Sequence, residues 1–423
     1  MRVPPLFRGG GLSVETRTIV GVTGAFGSGC STVAQMLHKH GYYVFRVSDI
    51  LQKEAQNLDI RVDRQVAERR RLLQMVGSQL RSSKGGGILV RMALEQALKE
   101  AGDRSVVLDS IKNPEEIEYL RQQDSAFTVA IDASDDTRWG RVVSEYQRQM
   151  RLFRRDSGVD RAEGMESGQN VQQCVDMADI ILDNDYDWTT DDDPAKSEFE
   201  SRVLEYARLM EEPDYRKPTV PETLMHEAYE ASLESRCMSR KVGAVVVAQE
   251  TPESSVSVLA RGFNHVPEGS RECVDVWGEC ARRRARRRSL ADLRHCPSCG
   301  SKLHDGSCIE QDCIYWTEHG DILELSCPGR GLDICRALHA EEDAILQAAM
   351  RSGSSTDGCN MYVTTFPCPW CAKTIVESGV GSIVYAEAYP MVEAERILED
   401  GGVETTRFEG VKGPGFNRLF PGQ

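Results

Sequence analysis

Leu338-His339-Ala340-Glu341-Glu342-Asp343-Ala344-Ile345 and Thr365-Phe366-Pro367-Cys368-Pro369-Trp370-Cys371 decide how the second half of the chain is read. One imidazole and two thiolates can hold a zinc ion and leave its fourth position open for water. That makes His339, Cys368 and Cys371 the candidate metal ligands. Glu341, two residues after the histidine, is not needed as a ligand and can move protons between that water and a substrate. A buried histidine or cysteine taken singly is ordinary core. The four together, in a strand-then-helix context, point to chemistry.

This His-x-Glu … Pro-Cys-x-x-Cys signature resembles the zinc-dependent cytidine and deoxycytidylate deaminases. The flanking pattern agrees. Glu222 to Ser239 has helical periodicity, Lys241 to Val247 reads as a strand, and Ser257 to Asn264 as its hairpin partner. A ligand helix beginning near His339, a strand at Asn360–Thr365, a second zinc-bearing helix from Cys368 and a strand at Gly381–Tyr385 follow. Lys241-Val242-Gly243-Ala244-Val245-Val246-Val247 and Gly262-Phe263-Asn264-His265-Val266-Pro267-Glu268-Gly269 resemble segments of the deoxycytidylate branch. That resemblance implies that Asn264 bonds the sugar or base of a nucleotide, and that Tyr385 and Tyr389 lie near the pyrimidine and phosphate pocket. Read by itself, Asn264 is equally a turn residue. His265 departs from the pattern, where glycine is usual.

Fourteen cysteines with no export signal favour metal ligation over disulfides. Eleven of them lie between Cys273 and Cys371. Cys296-Pro297-Ser298-Cys299 is a zinc knuckle, and Cys308 and Cys313 follow closely, which gives four thiolates for one structural zinc. Cys273, Cys280, Cys327 and Cys335 bracket the knuckle. The family resemblance implies a second structural zinc there, with Cys335 about one helical turn before His339 if the helix extends that far back. His295, His304 and His319 are substitute ligands. Cys30, Cys174, Cys237 and Cys359 are left as buried or free thiols. Arg282 to Arg288 holds six arginines in seven residues, either a contact for RNA or nucleotide phosphates or a solvated helix face.

The first half is α/β. A buried strand, Thr18 to Val22, runs into Thr23-Gly24-Ala25-Phe26-Gly27-Ser28-Gly29-Cys30-Ser31-Thr32 and then a helical pattern. Strand, glycine-rich turn and helix start are the context of a phosphate-binding P-loop, whose backbone amides cradle phosphate oxygens. Gly24, Gly29 and Ser31 fit the motif, with Ala25, Phe26, Gly27, Ser28 and Thr32 completing the loop, but Cys30 stands where lysine is expected. Binding of ATP or GTP through the amides is expected to survive that change. Ordinary kinase chemistry is not. Strands at Tyr43–Val47, Ser105–Asp109, Phe127–Asp132 and Ala178–Asn184, with helices between, predict a parallel sheet. This resembles the small-molecule kinase group of P-loop proteins. Arg148, Arg151, Arg154 and Arg155 form either a phosphate-closing lid or a solvated helix face.

The length of 423 residues suggests two or three domains. We divide the chain into a tail (1–17), a P-loop kinase-like domain (18–210), a linker (211–221) and a deaminase domain (222–423) with a zinc-binding insertion at 270–335. A net charge of −15 argues against a general nucleic-acid binder. No apolar run is long enough to span a bilayer and the start lacks the form of a signal peptide, so a cytoplasmic protein with no membrane partner is expected.

In this domain order the chain resembles the bacterial antiviral cytidine deaminases. The resemblance implies a zinc enzyme that deaminates dCTP or dCMP during phage infection, associates into homo-oligomers such as hexamers, and is held inactive by a small noncoding RNA. Two alternatives stand beside it: a housekeeping dCMP deaminase feeding thymidylate synthesis, and an RNA-editing deaminase of the tRNA type, for which the arginine run would supply RNA contacts.

Overall fold

The structure, a computed structural model, describes residues 17–58, 66–161, 170–186, 193–248, 256–282, 284, 335–388 and 391–423. Tyr389, Cys296, Cys299, Cys308, Cys313 and Cys327 lie outside the described residues, as do His295, His304, His319 and all of the arginine run except Arg282 and Arg284. Among the described residues, no helix is long and apolar enough to cross a membrane.

The first part of the chain runs β1 (Ile19–Thr23), α1 (Cys30–Lys39), β2 (Tyr43–Arg46), α2 (Val47–Asn57), α3 (Val66–Lys84), α4 (Ile88–Ala101), β3 (Val106–Ile111), α5 (Pro114–Arg121), β4 (Ala126–Asp132) and α6 (Asp135–Val142). Then come α7 (Met150–Arg161), α8 (Val171–Met177), β5 (Ile180–Asp183) and α9 (Pro194–Glu211). The second part runs α10 (Val220–Leu233), β6 (Gly243–Ala248), β7 (Ser257–Phe263), α11 (Cys273–Trp277), α12 (Ala340–Gln347), β8 (Asn360–Thr365), α13 (Pro369–Glu377), β9 (Ser382–Glu387), α14 (Val392–Asp400), β10 (Glu404–Arg407), β11 (Gly410–Val411) and α15 (Gly413–Leu419). The chain divides into two units. One holds Met1–Arg148, Asp160–Met177 and Asn184–Tyr215, and the other holds Gln149–Val159, Ala178–Asp183 and Arg216–Gln423.

In the first unit the strand order is β4-β1-β3-β2, all parallel. Val106, Val107 and Leu108 are fully buried, as a strand covered on both faces must be. Helices α4 and α5 complete a core through Val90, Leu94, Ile117 and Leu120. Asn113 caps α5, with Pro114 in its first turn and Glu116 closing a capping box. At the end of β3 the register with β1 shifts, and Ser110 takes a φ of 78°. This re-aims the residues beside the glycine-rich loop.

In the second unit five strands are ordered β10-β9-β8-β6-β7. The β7-β6-β8 meander is antiparallel, and β8-β9-β10 is parallel. Strands β5 and β11 pair antiparallel through Ile181 and Gly410. The core runs through Val246, Ala340, Ala344, Met361, Val363, Ile375 and Ile383. Gly262 lets β7 press against α12: a Cβ there would sit 2.3 Å from the Ala344 nitrogen and 2.4 Å from the Ala340 oxygen.

One boundary differs from expectation, and the ligand helix starts near His339 without extending back to Cys335. Thr219 and Pro221, expected in the linker, start α10 instead, because the threonine hydroxyl accepts from the Glu222 N–H and proline suits a first turn. Helix α12 begins at Ala340, so Cys335 is not a helical turn away from His339. The intervening Leu338 is held in an isolated bridge to His265.

Candidate active site

Two helix starts converge to build the centre. His339 is the N-cap of α12, and its backbone N–H donates to Glu342 Oε2 at 3.1 Å. Cys368 is the N-cap of α13, Pro369 opens that helix, and Cys371 sits in its first turn. Strand β8 delivers Cys368 through Phe366, whose N–H donates to the Glu387 carbonyl at 2.9 Å. Glu387 also accepts from the Thr365 hydroxyl at 2.8 Å and from the Tyr229 hydroxyl at 3.2 Å. Glu387 pins the strand end that precedes the cysteines, and nothing in the sequence pattern marks it.

His339 Nδ1 lies 3.2 Å from Cys371 Sγ and 3.4 Å from Cys368 Sγ, and the two sulfurs are 3.5 Å apart. For zinc bond lengths of about 2.0–2.3 Å, a tetrahedral site has ligand–ligand edges of roughly 3.6–3.8 Å. The triangle is within a few tenths of an ångström of that, so one nitrogen and two sulfurs fit the ion. The hydrogen bond between the two sulfurs draws Cys368 toward thiolate, while Cys371 is pushed toward thiol and its proton. A metal would replace that proton. Glu341 is buried, and burial pushes its carboxyl up to about 7 against the pull of His339. A carboxyl in that range can both take and give a proton near neutrality.

Asn264 is buried beside this centre, and its amide has structural partners. Oδ1 accepts from the Val242 N–H at 2.8 Å, and Nδ2 donates to the Arg240 carbonyl at 2.9 Å. Each group keeps capacity for a second bond. Tyr385 is half-buried on β9, with its ring edge-on to Phe366 at 4.8 Å.

Of the eight cysteines expected to hold structural zinc, Cys273, Cys280 and Cys335 are described, and all three line a cavity of about 30 Å³. Cys237 lines it too, although sequence reasoning left that residue unassigned. Against the effect of burial, the neighbouring His339 draws the Cys335 thiol below its usual range. Among the described residues, only His339, Cys368 and Cys371 close to ligating spacing.

The glycine-rich loop is set by its carbonyls. Arg138 donates to the Phe26 oxygen at 2.9 Å, Arg141 to those of Gly27 and Ser28 at 3.2 Å, and Asn184 to that of Ser28 at 2.6 Å. Peptide planarity then turns the N–H groups of Gly27 and Gly29 the opposite way, as a phosphate-binding nest requires. Gly29, with a φ of 106°, caps α1 in a conformation that favours glycine. Ser31 donates to Asp109 at 2.8 Å. Cys30 Sγ lies 3.6 Å from Ser28 Oγ, and burial and the neighbouring Asp109 push its thiol up to about 12, so the position that usually supplies a cation holds a neutral thiol. Arg138, Arg141 and Asn184 escaped the sequence reading because they serve main-chain atoms. Of Arg148, Arg151, Arg154 and Arg155, expected as a lid or a solvated helix face, Arg151 and Arg154 are exposed, and Gln149–Val159 groups with the second unit.

The family profile for the cytidine and deoxycytidylate deaminase zinc-binding region matches residues 218–387. The deoxycytidylate deaminase of enterobacteria phage T4 is 33% identical over 194 residues, 43% of this chain and 86% of that protein. The deoxycytidylate deaminase of Schizosaccharomyces pombe is 24% identical over 310 residues, 71% of this chain and 76% of that protein. A crystal structure of dCMP deaminase from cyanophage S-TIM5 with dCMP and dUMP is 26% identical, covering 46% of this chain and all of that one, with a TM-score of 0.28. The chain belongs to the deoxycytidylate deaminase family. It is a hydrolase with a zinc-binding region of that family, joined to a parallel α/β unit that carries a glycine-rich loop.

Proposed function

We propose that this enzyme converts dCMP or dCTP and water to dUMP or dUTP and ammonia, and that its first unit binds a nucleotide regulator. The observation that supports this reading is the closure of His339, Cys368 and Cys371 to ligand spacing beside a buried Glu341. Zinc held there supplies a Lewis acid that lowers the pKa of water. Glu341 takes a proton from the attacking water as the water oxygen adds to the amino-bearing carbon of cytosine. It then delivers protons to the ring nitrogen and to the departing ammonia. Asn264 orients the sugar or base with its remaining hydrogen-bonding capacity, and Tyr385 and Tyr389 flank the pyrimidine and phosphate. Gly24 to Thr32 takes ATP or GTP phosphates on its amides. Residues 18–210 and 222–423 are the two functional domains, the enzyme is a homo-oligomer, and the insertion's cysteines hold one or two structural zinc ions.

The biological role in this reading is depletion of deoxycytidine nucleotides during phage infection, restrained by a small RNA. Support comes from the order of the two units and from the arginine run at 282–288. The test is ammonia release by zinc-replete protein from dCMP, dCTP, CMP and cytidine. Turnover is expected with a deoxynucleotide, and none with either dCMP or dCTP would sink the assignment. Pools of dCTP in infected cells with and without the gene separate defence from thymidylate supply.

A further inference from the structure

The turn that carries Asn264 is tied to the zinc-ligand helix and the residue before its cap through both main chain and side chain. The main-chain attachment is the bridge at the base of α12. His265 N–H donates to the Leu338 oxygen at 3.2 Å, and Leu338 N–H donates to the His265 oxygen at 2.8 Å, one residue before His339.

The other attachment is a side chain. His265 Nε2 lies 3.4 Å from Asp343 Oδ1, and the Asp343 side chain is only 4% exposed. Asp343 is itself fixed in three ways. Its Oδ2 accepts from the Phe263 N–H at 3.1 Å, its Oδ1 accepts from Gln347 Nε2 at 3.1 Å, and its N–H donates to the His339 carbonyl at 2.9 Å. His265 Nδ1–H donates to the Val266 oxygen at 3.0 Å, so Nε2 meets Asp343 as a donor when the ring carries both protons, and the ring packs on Phe263 at 5.0 Å. One carboxylate on α12 therefore gathers the residues on both sides of Asn264.

We propose that His265 is a positioning residue, which with Asp343 clamps the Asn264 loop to the helix that carries Glu341. The clamp acts on substrate binding rather than on chemistry. Cys368 and Cys371 come from α13, and His339 and Glu341 are set by the start of α12. None of these side chains depends on the imidazole of His265. Loosening the loop therefore weakens the ground state and the transition state alike, which raises KM and leaves kcat. The proposal rests on Asn264 facing the nucleotide, as read above.

The experiment uses the full chain with His265→Ala, His265→Gln and Asp343→Asn. It measures kcat and KM for dCMP, zinc per chain, and hydrogen exchange of the amides at 264–266 and 338. His265→Ala is expected to raise KM by about three- to tenfold, the order that a partly buried ion pair supplies. It should keep kcat within about threefold by the same reasoning, retain zinc, and speed exchange in the loop. His265→Gln, whose carboxamide keeps an N–H donor for the carboxylate, should recover most of the KM. In an Asp343→Asn background His265→Ala should add little. Unchanged exchange in His265→Ala overturns the clamp. Loss of zinc, or a fall in kcat as large as the rise in KM, overturns the positioning role. Faster exchange with an unchanged KM overturns the link to substrate, and faults the placement of Asn264 rather than the contact itself.

Discussion

Both centres of this protein are built where a strand turns into a helix, but from opposite materials. At β1 the loop from Gly24 to Gly29 offers main-chain N–H groups, aimed by donors to its carbonyls. At β8 the turn through Pro367 offers the thiols of Cys368 and Cys371. A site made of side chains depends on each residue's identity. A site made of backbone depends on what holds the backbone. This accounts for a glycine-rich loop that keeps its shape with Cys30 in place of lysine.

The contrast breaks first at Glu341. Glu341→Gln is expected to lower kcat by about 10²–10⁴ while zinc per chain stays constant by metal analysis. If that variant turns over dCMP normally, the side-chain centre does not work through this carboxyl. In the other unit, Arg141→Ala should weaken the proposed ATP or GTP binding by about tenfold, read by calorimetry, because the Gly27 carbonyl loses its donor and that of Ser28 keeps only Asn184. Unaltered binding would mean that the loop holds its form without help. The smallest effect is expected at Cys30. Cys30→Ser should leave nucleotide affinity within about threefold, since a neutral hydroxyl replaces a neutral thiol and the amides are untouched. A large loss there would make the thiol part of the site.

How much of this was legible in the sequence follows the same division. His339, Glu341, Cys368 and Cys371 could be picked out because a metal site needs particular side chains at particular spacings. The parallel strands of the first unit could be read because buried strands are continuous apolar runs. Arg138, Arg141 and Asn184 could not, since their partners are carbonyls that any residue carries and that the fold alone brings near. Asn264 was read as a substrate residue, and the structure adds a task that spacing cannot reveal, tying the end of β7 to Arg240 and Val242. The ligand helix, read as beginning near His339, does begin at Ala340 and goes no further back. Leu338 is claimed by a bridge to a distant segment, which stops the helix from extending toward Cys335.

That bridge has a consequence for the chain between its two ends. His265 and Leu338 are neighbours in space, so the chain from Val266 to Ala337 begins and ends at one clasp. Closing a loop costs entropy that grows only with the logarithm of its length, about 0.6 kcal/mol for each doubling. The segment can therefore lengthen, shorten or exchange its contents at little expense to the sheet beneath it. The deaminase unit is a frame with a socket, and what is plugged into the socket sits one residue from a zinc ligand.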